Sequence, residues 1–114
     1  MINRFGLATC FSKQSTLQKW RDAADAGFQD AEIDVDRTLS VPDICEASQI
    51  LYMELKDNGL DPTSLHLPFG GMWDISSEEP AIRQKAIKGL KVLLQWVGKM
   101  GIGIAVLHPS YEPI

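Results

Sequence analysis

Asn58-Gly59-Leu60 and, three residues later, Ser64-Leu65-His66-Leu67-Pro68-Phe69-Gly70-Gly71 decide how this chain is read. An Asn-Gly pair stops a helix, because glycine enters the left-handed region of backbone space at little cost. The apolar run that follows is short enough for a buried strand, and Pro68 turns the chain out of it. A helix stop that leads directly into a strand recurs at Ala26-Gly27-Phe28 and Met100-Gly101-Ile102, at glycine spacings of 32 and 42. Ordinary helix stops in any α/β protein have this form, and so do the stacked units of a barrel or open sheet.

Working outward, three helices are expected. Ser15-Thr16-Leu17-Gln18 has the form of a capping box, with Leu17, Trp20 and Ala24 at helical spacing, so the first helix spans residues 16–26. Ser40-Val41-Pro42-Asp43 opens a second, with proline in the first turn, where its missing N–H costs nothing. Its apolar stripe runs Ile44, Ala47, Leu51, Leu55 to Asn58-Gly59. A third has the hydroxyls and acids of 76–79 at its start and carries Ile82, Ala86, Leu90, Leu93, Leu94 and Val97 on one face up to Lys99-Met100-Gly101. Gly89 inside it costs about 1 kcal/mol relative to alanine, which a buried face can outweigh. Apolar runs at 5–10, 31–35, 64–67 and 104–107 are the expected strands. The order β-α-β-α-β-α-β implies parallel strands joined by right-handed crossovers, an α/β fold.

The 114 residues suffice for one domain, 1–114, with fifteen acids against eleven bases and a formal charge of −4. No basic stripe supplies a phosphate-backbone footprint, so no nucleic-acid partner is expected. No apolar run reaches the roughly 18 residues of a membrane span, and the first residues lack the apolar region of a signal peptide. A soluble, cytoplasmic protein without a membrane partner is the expectation. Cys10 and Cys45 fit neither a CxxC motif nor a disulfide-dense scaffold, which agrees with a reducing compartment.

Functional side chains of parallel α/β sheets sit where strands end and loops begin. Both histidines fall there: His66 ends the third strand and His108 the fourth. Two imidazoles on adjacent strands can converge on one ligand, as proton carriers or metal ligands, or be structural groups bonded to backbone carbonyls. Glu32, Asp34 and Asp36 alternate along the second strand and share a face. A carboxylate pointing into a barrel needs a partner, such as a sugar hydroxyl or a metal, and Glu32 is the strongest candidate. Asp34 and Asp36 serve equally well as solvated charges beside Arg37. Trp73 and Asp74 follow the third strand, where an indole stacks on a sugar or covers the loop's own small core. Cys10 is a nucleophile candidate or a buried thiol. Arg83 reaches a phosphate or pairs with Glu79. There is no P-loop, GxGxxG, GxSxG or zinc-finger spacing.

Taken together, Phe5-Gly6-Leu7, Asp25-Ala26-Gly27-Phe28 before Ala31-Glu32-Ile33, His66-Leu67-Pro68-Phe69, the stretch 74–83 and Leu107-His108-Pro109-Ser110 resemble the xylose-isomerase-like TIM-barrel superfamily. That superfamily contains sugar and sugar-phosphate isomerases and epimerases and the endonuclease IV group. The resemblance implies a (β/α) half barrel, the first four strands of a TIM barrel, which takes about 250 residues when complete. In the sugar enzymes it implies Glu32, His66 and His108 as substrate-binding residues, to which the loop aromatic Trp73 is added as a candidate for stacking on the sugar. The divalent metal there (Mn, Mg, Co or Zn) is held by carboxylates and a histidine from strands five to eight, which also supply the base, so no catalytic residue is expected on this chain. In the endonuclease IV group it implies His66 and His108 as zinc ligands. The loops 70–74 and 110–112 are neutral to acidic, which favours the sugar enzyme over a DNA-repair enzyme. Two open sheet edges and an apolar barrel interior are expected, to be covered by a missing C-terminal half or by homo-oligomer formation. A non-catalytic half barrel completed by self-association is the remaining alternative.

Overall fold

A computed structural model describes residues 3–9 and 17–110. The elements run β1 (Gly6–Ala8), α1 (Leu17–Asp25), β2 (Asp30–Asp34), α2 (Val41–Asp57), β3 (Asp61–His66), a 3₁₀ turn over Gly71–Trp73, α3 (Pro80–Lys99) and β4 (Ile104–Val106). The four strands form one parallel sheet in the order β1-β2-β3-β4. Each strand therefore pairs with the next in sequence across an intervening helix, the half-barrel pattern. The capping box at Ser15 and the thiol of Cys10 lie outside the described residues.

The three glycine stops close in the same way. Phe28 N–H donates to the Ala23 carbonyl, Leu60 to Leu55 and Ile102 to Val97, five residues back each time. Gly27, Gly59 and Gly101 take φ of 102°, 87° and 78°, and their N–H groups donate three residues back, to Ala24, Lys56 and Gly98. This double closure satisfies orphaned helix carbonyls and drops an apolar residue onto the last turn. Leu60 and Ile102 are buried there. α2 starts as expected, with Ser40 Oγ accepting from Asp43 N–H at 3.3 Å and Pro42 in the first turn. α3 starts at Pro80 with no side-chain cap, four residues after the hydroxyl-rich stretch begins.

The core lies between the helices and one face of the sheet. Ala31, Ile33 and Leu65 of the strands meet Trp20 of α1, Ile44 and Leu55 of α2, and Leu90, Leu93 and Val97 of α3. The opposite face of β2 and β3 is polar. Asp30, Glu32 and Asp34 alternate with the buried Ala31 and Ile33, and Ser64 and His66 flank the buried Leu65. The expectation of an apolar interior surface is thus corrected along these two strands. Parallel strands buried on both faces read as continuous apolar runs, so this alternation marks a face turned to water or to a polar ligand. Along β4 the surface is more apolar: Ile104 is 59% exposed and Leu107 48%.

A register shift decides which side chains share that polar face. Ala31 pairs with Pro62, but Glu32 pairs with Ser64, so Thr63 is an extra residue in β3. Pro62 has no N–H for the ladder, and a bulge is where a strand interior tolerates proline. Because the side-chain period is two, a one-residue slip moves everything after it to the other face. The bulge is what sets Ser64 beside Glu32 and His66 beside Asp34.

Candidate functional site

At the carboxyl ends of β2 and β3 the polar face holds two hydrogen-bonded pairs. Ser64 Oγ donates to Glu32 Oε2 at 2.8 Å, which fixes one carboxylate oxygen and leaves the other an acceptor for a ligand hydroxyl. One strand further, His66 Nε2 and His108 Nε2 stand 3.0 Å apart. His66 Nδ1 lies 2.9 Å from the Leu67 carbonyl, which can only accept, so Nδ1 carries the proton. In the neutral ring His66 Nε2 then accepts, and His108 Nε2–H donates to it. Both rings are half-buried.

Phe69 completes the cluster. Its ring stacks on His108 with centroids 3.9 Å apart and planes 7° from parallel, and it lies 5.4 Å from His66 at a tilt. The phenyl face fixes the plane of His108 and so aims Nε2 at His66. Phe69 was absent from the sequence-derived candidates. The sequence signal was only Pro68, which turns the chain out of the strand at Phe69. Arg37 Nη1 holds this loop by donating to the Phe69 carbonyl at 3.2 Å.

The remaining candidates fall elsewhere. Trp73 packs its indole against α3, and a Cβ at Gly89 would stand 2.7 Å from its Cζ3. Its Nε1 donates to the Arg37 carbonyl at 3.0 Å. The contacts of Trp73 are thus with α3 and the loop after β2, and it is not gathered with Glu32, His66 and His108. Gly89 thus makes room for the indole, in addition to the burial of the helix face. Asp36 lies beyond the end of β2; its Oδ1 accepts from Thr38 N and Oγ1, which holds its carboxyl below the usual range. Arg83 does not pair with Glu79: Nη1 donates to the Ser77 carbonyl at 2.8 Å and ties down the segment before α3. Thr9 Oγ1 accepts from Asp34 N–H at 2.9 Å, joining the ends of the first two strands.

Among the described residues no three His, Cys, Asp or Glu side chains gather where they could hold a metal ion. His66 and His108 present two facing nitrogens, and the carboxylate ligands that the resemblance implies for the sugar enzymes would come from strands five to eight.

No family model matches the chain, and no curated protein matches it by sequence. Among solved structures it is similar to D-psicose 3-epimerase determined in the presence of D-fructose, with a TM-score of 0.65 and 22% identity. The match covers 98% of this chain and 39% of that one. What the two share is the fold. The chain spans about two fifths of that enzyme's length, and over this span it has the strand and helix order of part of a TIM barrel. No helix among the described residues is long and apolar enough to cross a membrane.

Proposed function

We propose that this chain is the N-terminal part of a cytoplasmic, divalent-metal-dependent sugar or sugar-phosphate isomerase or epimerase, and that it has no turnover of its own. The observation that carries this reading is the polar sheet face. Glu32, Ser64 and His66 align on one side of the sheet, and a polyhydroxylated ligand needs such a row of acceptors and donors. The likeness in fold to D-psicose 3-epimerase supports the same class. In this reading Glu32 accepts a sugar hydroxyl through the oxygen that Ser64 does not use. His108 and His66 hydrogen-bond the next hydroxyls, Phe69 keeps His108 in plane, and Trp73 lines the pocket only if its loop leaves α3. The metal would polarise the sugar carbonyl; its carboxylate ligands and the base belong to the remainder of a full barrel. A C-terminal half, or a second copy, would cover the polar face and the exposed Ile104 and Leu107.

The alternative of a zinc phosphodiesterase is favoured by one observation, the 3.0 Å approach of the two Nε2 atoms. Calorimetric titration separates the two. The sugar reading expects saturable binding of D-fructose or its 6-phosphate, lost in Glu32→Gln and in His108→Gln, with Zn²⁺ binding weakly. Tight Zn²⁺ binding that is lost in His108→Gln, without sugar binding, would replace it with the phosphodiesterase reading.

A further inference from the structure

A groove of about 610 Å³ opens where the loop after β2 and the 3₁₀ turn meet α3. Its wall is apolar, built from Met72, Trp73 and Val92, and its lining includes Arg37, Lys85 and Lys88 but no aspartate or glutamate. In a chain of net charge −4, three of the eleven basic residues gathered around one apolar hollow form a local reversal of sign. Lys85 and Lys88 take part in no ion pair among the described residues. Two carboxylates adjacent in sequence to lining residues are engaged in their own turns: Asp36, beside Arg37, accepts from Thr38, and Asp74 Oδ1, beside Trp73, accepts from Ser76 N and Oγ. The groove is also pre-formed. Trp73 is held by its bond to the Arg37 carbonyl and by its seat on Gly89, which leaves no room for a side chain.

The geometry points to this groove as a binding site for a small organic anion with a flat apolar body, the body lying along Trp73 and Val92 and the anionic group between Lys85, Lys88 and Arg37. Its volume lies within the range of small-molecule pockets, roughly 300 to 1,000 Å³. An apolar surface supplies affinity without orientation, and cations on one rim select an anion and fix its direction. The groove lining does not include Glu32, Ser64, His66 or His108, and the proposal does not rest on the sugar-enzyme reading.

The test uses 8-anilinonaphthalene-1-sulfonate as the anionic probe and N-phenyl-1-naphthylamine as its neutral counterpart, titrated into the 114-residue chain by fluorescence and by amide NMR. The expected result is one saturable sulfonate site that shifts the Trp73 indole N–H and the amides of 37–41 and 85–92. Affinity should fall at least fivefold in the double variant Lys85→Glu, Lys88→Glu and be at least fivefold lower for the neutral probe. Both lysines are exposed, so the double variant should keep the parent far-ultraviolet spectrum; Lys88→Gln alone, expected to weaken binding at least twofold, serves if it does not. A smaller loss, equal affinity for the two probes, or shifts centred on the exposed Ile50 and Met53 of α2 would overturn the assignment.

Discussion

Gly89→Ala separates two accounts of α3 by the sign of its effect. In a solvent-facing helix interior, alanine in place of glycine stabilises by about 1 kcal/mol. Here the added Cβ would stand 2.7 Å from Trp73 Cζ3 and 3.1 Å from Cη2. Carbon atoms in contact prefer about 3.5 to 4.0 Å, so the indole must retreat by roughly 1 Å. Overpacking of this kind costs about 1–3 kcal/mol, and the retreat also loosens the 3.0 Å bond from Trp73 Nε1 to the Arg37 carbonyl, worth about 1 kcal/mol. Set against the helix gain of about 1 kcal/mol, the net expectation is a loss of about 1–3 kcal/mol. Urea unfolding followed by far-ultraviolet circular dichroism measures it, and the change should reverse in a Trp73→Leu background, where alanine at 89 gains up to about 1 kcal/mol. A Gly89→Ala variant more stable than the parent, or a change of the same sign in both backgrounds, would refute the packing of Trp73 on this glycine.

Three further outcomes follow from named contacts. Arg4 reaches both carboxylate oxygens of Asp30, with Nη2 at 2.6 Å from Oδ1, and holds the Asp30 carboxyl below its usual range. A depressed carboxylate contributes stability above its unfolded pKa and loses it as pH falls through the folded one. Arg4→Ala should therefore lower the urea midpoint at pH 7, the gap closing under strongly acidic conditions; a gap independent of pH contradicts the pair. Ser64→Ala removes the hydroxyl that donates to Glu32 and should cost about 0.5–1.5 kcal/mol with the fold retained, and a neutral result by thermal unfolding argues against the Ser64–Glu32 bond. Burial pushes the Cys45 thiol up, so in a Cys10→Ser background iodoacetamide should alkylate it more slowly at pH 7.5 than a free cysteine peptide, and equal rates would show it open to water.

The strand and helix order was legible because each helix ends on a glycine whose neighbour is apolar, and the structure shows the same five-residue closure at Phe28, Leu60 and Ile102. Element ends were less so. Strand three begins at Asp61 rather than Ser64, since Asp61-Pro62-Thr63 reads as a turn and only the ladder to β2 holds it extended. The bulge at Thr63 left no local signal beyond Pro62, yet it fixes the face on which His66 lies. His66 and His108 were placed together by their positions at two strand ends, whereas Phe69 and the Gly89 seat of Trp73 depend on contacts between elements that periodicity does not encode. The polar sheet face was half visible, in the alternation Glu32, Asp34; its continuation through Ser64 needed the register.

The imidazole ¹⁵N and Hε1 signals of His66 and His108, followed while D-fructose is added to the 114-residue chain, test the central claim most directly. Without sugar, His66 should show its proton on Nδ1 and a coupling across the bond to His108 Nε2, as the 3.0 Å contact requires. With sugar, both rings should shift together and saturably, and Glu32→Gln should abolish the response. Histidine signals that stay fixed up to molar sugar, or that respond equally in Glu32→Gln, would contradict the assignment of this sheet face as a sugar site.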